Sequence, residues 1–218
     1  IAGPVAGSIE TVAPPSCGNF CQSLKSVGTL YTNKDNPYIQ SVKLFGRAQY
    51  QYAYVDSENA AGVKNNESYD EFRRVRAGVK IKAFNALTLS ANANFVKDNS
   101  PRGGIRDWGY DTFDQAYATY AFGSVLGLDD LKITYGRKKI AVGHEARTSS
   151  KKIKTVERSA ISNKVFTGNY TSFLVSAKRG NLNGTLGFLS LDKTEFIGTW
   201  NAGKALYASS KVNIAGHD

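Results

Sequence analysis

The sequence predicts an all-β fold, an antiparallel transmembrane β-barrel, and three observations carry that expectation. The first is the run from Ser41 to Val55, which alternates with a period of two. Val42, Leu44, Ala48, Tyr50, Tyr52 and Tyr54 fall on one side, and Lys43, Arg47, Gln49 and Gln51 on the other. A face of apolar and tyrosine side chains backed by long basic and amide ones suits a sheet placed between lipid and water. The second is that such segments recur at intervals of roughly twenty residues, with short and long connections in turn, as a transmembrane hairpin array requires. The third is that no run approaches the roughly eighteen consecutive apolar residues a membrane-crossing helix needs, so membrane residence would rely on strands. A half-buried strand of a soluble β domain also alternates. Its outer face usually mixes charge signs, however, whereas here the second face holds only cations and neutral polar groups.

Residues 1–39 stand apart. They contain Pro4, Pro14, Pro15 and Pro37, four of the five prolines, and lack alternation apart from a short helical pattern around Phe20 to Val27. We read them as an amino-terminal extension, a periplasmic lead-in or a plug. Cys17 and Cys21 lie here in C-G-N-F-C, with no further cysteine to complete a four-ligand zinc site, so a local disulfide and a free pair both stay open. The chain opens at Ile1 and contains no methionine, which fits removal of an initiator together with an export signal.

From residue 40 the strand segments follow in order. The first is Ser41 to Val55. The second, Phe72 to Ala83, sets Val75, Ala77, Val79, Ile81 and Ala83 against Arg74, Arg76, Lys80 and Lys82, a row of cations interrupted only by Gly78. Like charges along one strand face repel each other, so this row calls for a wide, wet cavity and an anionic guest. Phe84-Asn85-Ala86 is a tight link to the third strand, Leu87 to Val96, where Leu87, Leu89, Ala91, Ala93 and Phe95 oppose Thr88, Ser90, Asn92 and Asn94. By contrast Asp56 to Asp70 and Asp98 to Thr112 read as long polar loops. Phe113 to Phe122 and Leu131 to Arg137 are the fourth and fifth strands. Fainter ones follow at Phe173 to Arg179, Leu182 to Leu191 and Ala205 to Ile214, making about eight.

Between the fifth and sixth strands, residues 140–172 are too polar to span a membrane and carry Lys151, Lys152, Lys154, Arg158 and Lys164. Unstructured connections of this length are uncommon without a task. An inward constriction loop would bring those cations to the narrowest point; an ordinary solvated basic loop is the plain alternative.

These segments hold motifs. F-R-R-V-R-A-G-V-K-I-K-A-F at Phe72 to Phe84 resembles the F-R-R-x-R-x-G-x-x-G-K-L-F pattern of the phosphate-selective porin O and P family. T-S-S-K-K-I-K-T-V-E-R-S-A-I-S-N at Thr148 to Asn163 resembles that family's pore-loop segment, Glu157 to Ser159 matching its E-R-S. Asp114-Gln115-Ala116-Tyr117 looks like its D-A-Y strand start, and Tyr135 to His144 like its G-x-x-K-x-x-x-G stretch. The motifs run in the correct order over about residues 40–190. The resemblance implies a trimeric, sixteen-stranded outer-membrane barrel with an inward ladder of arginines and lysines. It implies that Arg73 and Arg74 line the eyelet with Arg47 at a similar height. It puts Ser149, Ser150, Lys151 and Lys152 on the inward loop and makes Asp114 the acidic counterweight. Parity alone supports Arg47 and Arg74; Arg73 has the parity of the lipid-facing row and therefore belongs at the rim or at a bulge.

The chain departs from the family pattern in two respects. It ends in H-D, without a terminal aromatic strand, and eight strands enclose an interior that their own side chains fill. The expectation is the amino-terminal half of a longer barrel, residues 40–218, or a partly built one.

The functional expectation is passive, anion-selective diffusion of phosphate-type anions through a bacterial outer membrane, with lipid as surroundings and no cofactor or metal. The formal charge of +10 and a pI near 9.5 also admit nucleic acid as a partner. Stacking and phosphate contacts would have to come from opposite faces of the first strand, which argues against it. An enzyme is not expected, because His144 and His217 are the only histidines and no G-x-S-x-G or H-E-x-x-H accompanies them. His144 beside Glu145 reads as a surface pair. A chiefly structural barrel, anchored to the cell wall or to a partner, is the remaining alternative.

Overall fold

In the computed structural model the described residues are 27–59, 61–96, 108–142, 144–148, 159, 161, 167–192, 200–201 and 203–212. They form nine strands: β1 (Thr29–Thr32), β2 (Ile39–Glu58), β3 (Lys64–Ala83), β4 (Leu87–Val96), β5 (Trp108–Val125), β6 (Leu128–Ala141), β7 (Thr167–Arg179), β8 (Leu182–Ser190) and β9 (Lys204–Val212). A single helical turn, α1 (His144–Arg147), follows β6. All nine strands belong to one sheet in chain order, and every neighbouring pair is antiparallel. Among the described residues β1 and β9 do not pair with each other, so the sheet is open at both edges.

Each segment read as a strand from its alternation falls on one of β2 to β9. The strands are longer than alternation alone shows. β2 and β3 continue beyond the apolar zone, where Asp56, Ser57 and Glu58 pair with Asn66, Asn65 and Lys64. Both faces are polar there, so the period of two has nothing to mark it, and the expected long loop from Asp56 to Asp70 shrinks to 59–63. β5 likewise starts at Trp108, inside the expected loop from Asp98 to Thr112. β6 runs to Ala141 and β7 begins at Thr167, which trims the long basic connection from 140–172 to 142–166. β1 lies within the stretch read as an extension, and it pairs with β2 through Tyr31–Val42 and Thr32–Ser41. Cys17, Cys21 and nearly all of the Phe20 to Val27 pattern lie outside the described residues.

Register sorts the side chains into two faces. One lateral row runs Lys43, Lys80, Ser90, Tyr117, Gly136, Ser172, Leu189, Ala205 across β2 to β9. On the opposite face lie Leu44, Val79, Ala91 and Ala116, with Phe188 and Leu206 farther along. This second face is apolar and uncovered, with Leu186 65% and Leu206 80% exposed. An apolar face left bare across a whole sheet is what hydrocarbon, not water, accommodates. Aromatic pairs mark both ends of the apolar band: Tyr50–Phe72 and Tyr110–Phe113 toward the long connections, Tyr38–Phe84 and Tyr120–Phe122 toward the short ones. Amphipathic rings at both ends fit the two interfaces of a bilayer. Among the described residues no helix is long and apolar enough to cross a membrane, so a crossing would be made by these strands.

The cation face changes character from edge to edge. It is basic on β2 and β3 and carries hydroxyls and amides on β4 and β5. On β6 to β9 it becomes partly apolar, with Ile140, Leu174 and Leu189 buried and packed by Tyr170, Ala205 and Tyr207. Hydroxyls pair across strands on this face, Thr119 of β5 with Thr134 of β6 at 2.9 Å and Ser176 of β7 with Thr185 of β8 at 3.0 Å.

Candidate functional site

The β2–β3 hairpin sets cation directly opposite cation. Arg47 pairs with Arg76 and Lys43 with Lys80, while Gln49 faces Arg74 and Ser41 faces Lys82. Like charges opposite each other weaken a sheet, so this register lowers stability where a neutral pair would not. Arg74 uses Nη1 to donate to Gln49 Oε1 at 3.0 Å. Among the described residues Lys43, Lys80 and Lys82 have no acidic partner.

Asp114 is the acidic group set against this file. Its Oδ2 meets Arg76 Nη1 at 2.7 Å and accepts from Asn92 Nδ2 at 3.1 Å, and its Oδ1 accepts from Asn169 Nδ2 at 3.1 Å. Three donors from β3, β4 and β7 thus converge on one buried carboxylate, which fixes its position and satisfies its oxygens. A bulge makes this geometry. Asn92 pairs with Gln115 and Ala93 with Phe113, so Asp114 is an extra residue on β5, and it turns to the cation face although its parity is that of Ala116 and Ala118.

A second bulge lies at Arg73. Gln49 pairs with Arg74 and Tyr50 with Phe72, which leaves Arg73 unopposed in the ladder. Its backbone therefore sits where an irregularity was required, and its side chain lies outside the described residues. Ser149, Ser150, Lys151, Lys152, Lys154 and Arg158 also lie outside them, as do the side chains of His144 and Glu145. The structure thus brings Arg47, Arg74, Arg76, Lys80, Lys82 and Asp114 to one face.

Two recesses open on that face. The first, about 520 Å³, is lined by Lys43, Phe45, Arg47, Arg76, Lys80, Asn92, Asp114 and Tyr117 among others. The second, about 550 Å³, lies toward the short connections and is lined by Lys34, Gln40, Ser41, Lys43, Lys80 and Lys82 among others. Lys43 and Asn92 were placed on polar strand faces from the sequence but not counted among the site residues, and Lys34, Asn169 and Phe45 were not singled out at all. Parity with Arg47 gave a usable signal for Lys43 and Phe45. Nothing local marks Asn169, which reaches Asp114 from fifty-five positions away. Lys138 places its ammonium 5.3 Å from the centre of the Tyr117 ring, extending the positive surface to β6.

In chemical terms the wall offers fixed guanidinium and ammonium groups, with one carboxylate whose charge is already taken up. Such a surface holds anions by paired hydrogen bonds and by field. Neither the curated proteins nor the solved structures contain a match to this chain. Residues 42–194 match the family model described as phosphate-selective porin O and P, a span that takes in β3 to β8, the cation-on-cation register and Asp114, and the chain belongs to that family.

Proposed function

We propose that this chain forms the cationic wall of a porin that passes phosphate-type anions passively through the bacterial outer membrane. The single observation that carries the reading is the register of β2 on β3, which puts Arg47 against Arg76 and Lys43 against Lys80 on the face opposite an uncovered apolar one. Water and mobile anions relieve repulsion of this kind, and a packed protein interior does not.

The cations lower the electrostatic barrier for anions and raise their local concentration, while cations are repelled. Arginine adds a preference for phosphate over chloride, because its planar fork donates two hydrogen bonds to two oxygens at once. A row of similar sites lets the ion pass from one to the next without a deep trap. Asp114 holds Arg76 in a fixed pose, so that group meets the passing ion already oriented. Ser149, Ser150, Lys151, Lys152, Lys154 and Arg158 would complete the pathway from the 142–166 connection, with Arg73 beside Arg74. Barrel closure comes from further strands pairing with the free edges of β1 and β9, giving a sixteen-stranded unit that assembles as a trimer in lipid. Tyr50, Tyr52 and Tyr54 face away from Arg47 and Arg74, which disfavours a nucleic-acid platform. Porins are channels, not catalysts.

The test is reversal potential in planar bilayers under a potassium chloride gradient. Anion selectivity that falls as salt rises supports the proposal; an ohmic, unselective pore or no conductance removes it.

A further inference from the structure

Phe45 places an aromatic ring on the cation face of β2, between Lys43 and Arg47, and it is 43% exposed. Its seat is prepared by its partner across the ladder, Gly78. A Cβ at Gly78 would lie 2.8 Å from Phe45 Cζ and 2.5 Å from Asn92 Cβ, so the gap in the row of cations is the space the ring occupies. The ring stands in the same recess as Lys43, Lys80, Arg47 and Arg76. A phenyl ring exposed among charged groups gains nothing from an inorganic ion, which presents only oxygens to it. The recess, about 520 Å³, is also far larger than inorganic phosphate needs and falls in the range of small-molecule sites.

We propose that this recess is a subsite for phosphate monoesters carrying an aromatic group, with Phe45 as the residue that sets the preference. The phosphoryl oxygens take hydrogen bonds from the flanking arginines and lysines, and the aromatic body lies against the Phe45 ring. The inference rests on the anion-pathway reading and names a substrate class within it. Ring-on-ring contact with its buried area is worth roughly a five- to tenfold gain in affinity.

The experiment uses the full-length protein in planar bilayers, with chloride current titrated by inorganic phosphate and, separately, by phenyl phosphate. In the native channel phenyl phosphate is expected to half-block at about five- to tenfold lower concentration than phosphate. In Phe45→Ala that ratio should fall to about one. A ring that only filled space would move both values together. The proposal is overturned if phenyl phosphate has no advantage in the native channel, or if the advantage survives in Phe45→Ala. Should Phe45→Ala give no channels, Phe45→Leu carries the same test with bulk retained and the aromatic face removed. A native channel with no anion selectivity would count against the pore itself, whereas selective current without the phenyl preference would overturn the subsite alone.

Discussion

Arg47 stands directly opposite Arg76 across the β2–β3 ladder, two guanidinium groups where a stability-driven sheet would place a neutral or opposite-charge pair. Replacing one of them should therefore separate stability from selectivity. Arg47→Gln is expected to stabilise the sheet by about 0.5 kcal/mol, because it removes a like-charge contact. The same change should draw the reversal potential in a salt gradient toward zero. Thermal unfolding in detergent and bilayer recordings read the two effects on one protein, and a stabilised variant of unchanged selectivity would contradict the assignment.

Asp114 is held by Arg76, Asn92 and Asn169, and its two obvious substitutions should behave differently. Asp114→Ala leaves a guanidinium and two amides without their shared acceptor and should cost about 2–3 kcal/mol. Asp114→Asn keeps an acceptor oxygen and most of the shape while adding one unit of positive charge to the wall. Its chloride conductance in dilute salt should rise, and denaturant titration should show a smaller loss than for the alanine variant.

Gly136 has φ of +126° and lies opposite Tyr117, one pair in from the end of the β5–β6 ladder, so a side chain there is opposed twice. A Cβ would come within 2.4 Å of the Ala116 carbonyl oxygen, and the backbone angle itself disfavours an L-residue. Gly136→Ala is expected to lower stability by about 2 kcal/mol or more, seen as a lower unfolding temperature and a smaller folded fraction.

Adjacent residues on β5 give a control for the two faces. Ala118 belongs to the apolar face and Thr119 to the cation face, where its hydroxyl meets Thr134. Ala118→Arg should destabilise the membrane-inserted form by about 2–4 kcal/mol, while Thr119→Arg should fold nearly as well as the native chain. Heat-modifiable migration on gels reads the folded fraction. Equal behaviour of the two variants would refute the assignment of faces.

Much of this architecture was written in the alternation of apolar and polar residues, because a strand between lipid and water must obey it along its whole buried length. Val75 to Ala83 and Leu87 to Phe95 show it plainly. The rule goes silent where both faces are polar, which is why the outer reaches of β2 and β3 read as loop. It is also silent over four residues, which is why Thr29–Thr32 was absorbed into the extension. Parity assigned Arg47, Arg74, Arg76, Lys80 and Lys82 to one face. It failed for Asp114, since a single inserted residue reverses every inference drawn from counting by two, and only the motif pointed to that position. Asn169 reaches Asp114 through the fold alone, and no neighbour in sequence announces it.

The uncovered apolar face also governs the life of the chain before insertion. Leu44, Tyr52, Leu186, Phe188 and Leu206 are exposed together on one side of a sheet whose edge strands, among the described residues, offer open backbone groups. In an aqueous compartment that surface invites self-association as readily as it later accepts lipid. Any passage of the chain through water therefore calls for cover over that face until lipid supplies it.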